Sequence, residues 1–143
     1  MKNWKKLQKI SGWLLISLGS IHNISSMVML NKPITNPKLS QAILLMQEII
    51  PDVPTSNTLW DFHLGFSFLM GWLIIGFGLN SLLQISILQK QPSLAILNIT
   101  IASLICLYSI VYFFILPVLF SVIASILFIR IYYLIKKTQV NNN

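Results

Sequence analysis

LAILNITIASLICLYSIVYFFILPVLFSVIASILFIRIYYLI, residues 94–135, is an apolar run of 42 residues whose reading decides the fold. A membrane-spanning helix needs about 20 residues, so the run is twice one span. As a single helix it would be roughly 60 Å long, far beyond any hydrocarbon core. Pro117 stands near its centre. Proline suits a helix's first turn, where its missing N–H would have had no partner. The run therefore predicts two spans, about 94–115 and 117–135, joined by a tight turn.

Working outward, residues 84–93 form a polar connection with Lys90 and Pro92, and about 62–83 supplies another span, containing Gly65, Gly71, Gly76 and Gly78. Glycines at this density let neighbouring helices approach closely. About 10–30 is the first span. Its lysine-rich start imitates a signal peptide, but the apolar run continues through His22 and Asn23 without a small-x-small site, so an uncleaved span is expected. Between these two spans, 31–61 is an outer loop punctuated by Pro33, Pro37, Pro51 and Pro54. Leu39, Ala42, Ile43, Met46, Ile49 and Ile50 recur there at helical spacing, predicting a short amphipathic surface helix between Pro37 and Pro51. Thr58 and Asp61 are spaced to cap the second span.

Composition agrees with lipid as the solvent. Hydrophobic residues make up 55% and charged residues 9% of the chain, against roughly a quarter charged in soluble domains. The formal charge of +7 is not spread as a nucleic-acid surface. Lys2, Lys5, Lys6, Lys9, Lys90, Arg130, Lys136 and Lys137 flank spans on one side; Lys32, Lys38 and all three acids fall on the other. This bias places both termini in the cytoplasm and excludes nucleic acid as the expected partner. Cys106 alone offers no intrachain disulfide. Small and polar stripes (Gly12, Gly19, His22, Ser26; Asn98, Ala102, Ile105, Ser109, Tyr112; Ser121, Ser125, Phe128, Tyr132) predict an antiparallel four-helix bundle, a single all-α integral membrane domain over residues 1–143.

Gly19-Ser20-Ile21-His22, Trp60-Asp61-Phe62 and Leu64-Gly65-Phe66, with Leu44-Leu45-Met46 in the loop, resemble a family of small bacterial four-helix membrane proteins grouped loosely with DoxX-like proteins. The resemblance implies the four-helix fold and a bacterial cytoplasmic membrane. It implies no activity, and His63 falls outside its pattern.

Chemistry-bearing residues are few. His22 and His63 as paired haem ligands would differ in depth by roughly 7 Å, which disfavours the pairing. No ligand spacing such as HxxxH or CxxC supports a metal; nucleophilic catalysis would need a serine or Cys106 beside an oriented base, and Cys106, deep in the third span, reads as an inert packing thiol, so no catalytic residue is assigned and a non-enzymatic role is expected. His22, Asn23, Trp60, Asp61 and Tyr112 are the candidate lining of a polar pocket in the outer half of the bundle. It would hold a small lipophilic ligand such as a lipid or quinone. Two other readings stay open: His22 and Asp61 tie helix ends together, or the chain is an accessory subunit packing against a membrane partner or a second copy of itself.

Overall fold

The computed structural model describes residues 3–31, 33–51, 56–112 and 115–140. The fold is all-α: α1 (Asn3–Asn31), α2 (Pro37–Glu48), α3 (Leu59–Leu83), α4 (Ser93–Tyr112) and α5 (Ile115–Val140), with a short 3₁₀ turn at Gln84–Ser86. α1, α3 with its 3₁₀ turn, α4 and α5 are long and apolar enough to cross a membrane, and α2 lies in the connection between the first two.

Several helix ends differ from the limits of the apolar runs read in the sequence, which are limits of spans and not of helices. α1 begins at Asn3, not near residue 10. Trp4, Gln8, Ser11, Leu15 and Leu18 recur at alternating fours and threes and are all buried, while Lys5, Lys6 and Lys9 are exposed. The lysines occupy the solvent-facing side of a helix whose other side is packed. α2 ends at Glu48, before Ile49 and Ile50. Ile50 precedes Pro51, and the residue before a proline is driven out of the helical region, so the chain is already extended at Ile49. α5 begins at Ile115 with Pro117 still in its first turn and runs to Val140, past the predicted 135. The predicted tight turn between α4 and α5 falls on residues outside those described.

The chain divides into two compact units, residues 1–18 with 74–143, and residues 19–73. In the first unit the opening half of α1, the closing half of α3, α4 and α5 form a four-helix bundle. Its core holds Leu15, Leu88, Ala102, Ala124, Phe128, Ile131 and Ile135, with the Phe77 and Phe128 rings 5.9 Å apart. The predicted stripes face this core: Asn98, Ala102 and Ser109 are buried from α4, as are Ser121, Ser125 and Phe128 from α5. α1 and α3 run antiparallel and cross at two glycines. A Cβ built on Gly78 would stand 2.7 Å from the Gly12 carbonyl oxygen and 2.8 Å from Ile16 Cγ1, so only glycine admits this approach.

In the second unit, α2 starts on an Asn-Pro step. Asn36 Oδ1 accepts from the Lys38 and Leu39 backbone N–H groups at 3.0 and 3.3 Å, and Pro37 takes the first helical position. Of the six residues in the apolar pattern, Ile43 is buried and Met46 half-buried, while Leu39, Ala42, Ile49 and Ile50 are exposed. The Leu59 N–H donates to the Ile49 carbonyl at 2.8 Å, fixing the chain after α2 to the start of α3.

Polarity is inverted relative to a water-soluble bundle. Gln8, Ser11, Ser81, Asn98 and Ser121 are at most 1% exposed, whereas Trp13, Phe66, Trp72, Leu83 and Val111 are at least 60% exposed. A soluble monomer rarely shows contiguous apolar patches above a few hundred Å². In hydrocarbon the same distribution is the favourable one, because polar groups must find partners inside the protein.

The two classes of glycine on α3 give a direct test. Gly78→Val is expected to lower stability in mild detergent by about 1–3 kcal/mol, the usual cost of overpacking. Gly76→Ala, where an added Cβ meets nothing within 4 Å, leaves stability unchanged or slightly raised. Thermal melts of both variants measure the difference.

Candidate functional site

The start of α3 is built by a reciprocal cap, as the Thr58–Asp61 spacing predicts. Asp61 Oδ2 accepts from the Thr58 N–H at 2.9 Å and from the Thr58 hydroxyl at 2.8 Å, and the Asp61 N–H donates back to Thr58 Oγ1 at 3.2 Å. Two backbone donors are satisfied at once, and a carboxylate in the first turn faces the positive end of the helix dipole. Trp60, half-buried on the first turn, stacks on His63 with ring centroids 5.4 Å apart and planes 24° from parallel.

One and a half turns beyond Asp61, α3 meets the closing half of α1. His22 Nε2 lies 3.0 Å from the Ser67 carbonyl oxygen and 3.2 Å from Ser67 Oγ. A carbonyl only accepts, so Nε2 carries the proton and donates. The Ser26 hydroxyl donates to the His22 carbonyl at 3.1 Å, which leaves the Ser67 hydroxyl to donate to Ser26 Oγ at 2.8 Å. The four bonds close a ring that ties α1 to α3. One turn on, Asn23 fills the space above Gly71, where a Cβ would overlap its carboxamide. Asn23 Oδ1 is buried, and among the described residues no hydrogen-bond donor reaches it.

Two open grooves of this unit are lined by described residues. One, of about 290 Å³, is lined by Asn57, Asp61, Phe62, Gly65, Phe66 and Leu69. The other, of about 440 Å³, runs between the end of α1 and the start of α2 and is lined mainly by Ile24, Val28, Met29, Pro33, Ile34 and Leu39. Of the five residues expected to share a pocket, Asp61 lines the smaller cavity. His22, Asn23 and Trp60 line neither of the two. The Tyr112 side chain lies outside the described part of the structure. His22 and Asn23 therefore belong to the seam between α1 and α3, and Asp61 to a groove along α3.

The haem pairing is also poorly served, since His22 Nε2 is engaged with Ser67 and the His63 ring with Trp60. Among the described residues no three His, Cys, Asp or Glu side chains gather as a metal would need.

Sequence reasoning missed a second polar cluster, in the four-helix bundle of the first unit. Gln8 Nε2 donates to the Ser81 carbonyl at 2.9 Å and meets Ser81 Oγ at 2.8 Å; Asn98 Nδ2 donates to Gln84 Oε1 at 2.8 Å. All four residues are buried. The signal was present in the fours-and-threes spacing of Trp4, Gln8, Ser11 and Leu15, but the interleaved lysines hid it.

Compared with protein-family models, curated proteins and solved structures, the chain matches none. Its functional reading rests on its own residues.

If the His22–Ser67–Ser26 ring fastens α1 to α3, a double-mutant cycle of His22→Ala and Ser67→Ala returns a coupling of about 1 kcal/mol, within the range of interhelical hydrogen bonds in lipid. Unfolding titrations of the four proteins check it; because the Ser67 carbonyl survives the substitution, additive losses would show that the Ser67 hydroxyl carries no part of the coupling.

Proposed function

We propose that this chain is a non-enzymatic multi-pass protein of a bacterial cytoplasmic membrane that binds one small amphipathic molecule in the groove along α3. The observation that carries the reading is the groove's chemistry. Phe62, Gly65, Phe66 and Leu69 give an apolar trough, and Asp61 with Asn57 gives it one polar end. The capping bonds to Asp61 both land on Oδ2, so Oδ1 is the oxygen offered to a ligand.

A carboxylate accepts but does not donate, so the matching headgroup carries a hydroxyl or an ammonium. A hydroxylated lipid or a quinol fits this demand better than a quinone, whose carbonyls are themselves acceptors. The volume, about 290 Å³, is at the lower edge of small-molecule sites and suits a ring or a short acyl segment. Membrane insertion is supported by the inverted polarity of the bundle. A cytoplasmic location for both termini is supported by the eight basic residues on one side of the spans against two on the other. The resemblance to small DoxX-like proteins is in keeping with such a location.

An accessory-subunit role draws on a different observation. Gly76, with open space where its side chain would be, stands beside exposed Leu79 and Leu83 on α3. Small residues on an exposed face allow a partner helix to come close. Gly71, by contrast, is occupied by Asn23 and is no part of such a face.

Native mass spectrometry of the protein released from mild detergent separates the two readings. Ligand binding predicts a co-purifying lipophilic adduct that is lost in Leu69→Trp, which fills the groove, and weakened about tenfold in Asp61→Asn, which exchanges a charged acceptor for a neutral one. An adduct indifferent to both changes, or no adduct from membranes of the native host, would overturn it. An accessory role instead predicts a stable oligomer or hetero-complex that Gly76→Leu disrupts. Reporter fusions at either terminus check the orientation, with both expected to report the cytoplasm.

A further inference from the structure

The first unit carries a charge imbalance that the ligand groove does not use. Lys5, Lys6, Lys9, Lys90, Arg130, Lys136 and Lys137 all belong to it, and the two acids among the described residues, Glu48 and Asp61, belong to the other unit. These seven basic residues are exposed.

Their levels along the bundle follow from contacts already given. The Gln8–Ser81 bond sets Lys9 beside the end of α3, and the Phe77–Phe128 contact brings Arg130 to nearly the same level. Lys5 and Lys6 stand about one turn further toward the bundle end, and Lys136 and Lys137 about two turns beyond Arg130. Lys90 adjoins Gln89, whose carbonyl accepts from Gln139 Nε2 at 3.0 Å, so it shares this lower level. The cations thus form two tiers.

The upper tier is set in an apolar surface. Ile10 and Trp13 are exposed next to Lys9; Ile126, Ile129 and Tyr133 are exposed around Arg130. A soluble polyanion matches the lower tier alone, because apolar groups surround the upper one. A molecule with a phosphate on acyl chains matches both: the chains cover the apolar residues while the phosphate meets the guanidinium or ammonium. Long basic side chains reach such a phosphate by extending along the helix. The rings of Trp13 and Tyr133 suit the headgroup level.

We infer that this end of the bundle binds anionic phospholipid, with Lys9 and Arg130 holding headgroup phosphates at the upper tier. The inference rests on the membrane reading above but not on the α3 groove. The test reconstitutes the full chain in nanodiscs of phosphatidylcholine containing roughly one-third phosphatidylglycerol, and counts retained lipids by native mass spectrometry. Phosphatidylglycerol is expected several-fold above its bulk proportion, falling about fivefold in each of Lys9→Gln and Arg130→Gln and retained in Arg130→Lys. Lys38→Gln, in the other unit, leaves the enrichment unchanged. Retention at the bulk ratio, or enrichment that survives both neutralising changes, overturns the inference, as does displacement of the retained lipid by a short oligonucleotide. A chain that stays out of the nanodiscs would instead defeat the membrane reading itself.

Discussion

The contact between Gly12 and Gly78 governs what the four-helix bundle can contain. Neither residue has a side chain to hold the backbones apart, so α1 and α3 close until one carbonyl occupies the space of the other's missing Cβ. Only at such a separation does the carboxamide of Gln8, one turn away, reach both the carbonyl and the hydroxyl of Ser81. Packing and hydrogen bonding are therefore one arrangement: the glycines set the distance, and the polar side chains use it. In lipid this order matters, because helices gain nothing there from burying apolar surface against one another.

The second unit repeats the logic with a different solution. Gly71 leaves a hollow that the Asn23 side chain fills, and the His22–Ser67–Ser26 ring closes beside it. In that ring the two hydroxyls each donate and accept, the imidazole N–H donates and the two carbonyls accept, so these part-buried polar groups find partners within the protein. Neither of the two grooves described above is lined by His22. A histidine whose Nε2 proton is committed to a neighbouring carbonyl is a fastener. Asp61 differs because its cap occupies one oxygen and its surroundings along α3 are apolar, which leaves a hydrogen-bond acceptor at the end of a greasy trough.

Much of this was legible in residue spacing. The Thr58–Asp61 box, the buried stripes of α4 and α5 and the inward turn of Ile43 and Met46 each follow from helical periodicity and cap chemistry, both of which are local. The extended N-terminus of α1 was also written in the sequence, in Trp4, Gln8, Ser11, Leu15 and Leu18. It was obscured because charge was read before spacing: lysines next to an apolar run look like a flank until their neighbours are seen to share one buried face.

By itself the sequence determined the all-α class, four helices long and apolar enough to cross a membrane, the amphipathic helix between the first two, and the segregation of charge. These depend on length, hydropathy and period, which are properties of a stretch alone. Only the tertiary structure decided which polar residues meet. His22, Asn23, Trp60 and Asp61 could share one pocket as far as the sequence shows, yet the first two turn into the α1–α3 seam, Trp60 stacks on His63, and Asp61 lines a groove along α3. The rotation of each helix about its axis decides that outcome. Within the second unit it shows in the fit of Asn23 over Gly71, a relation that no single stretch contains.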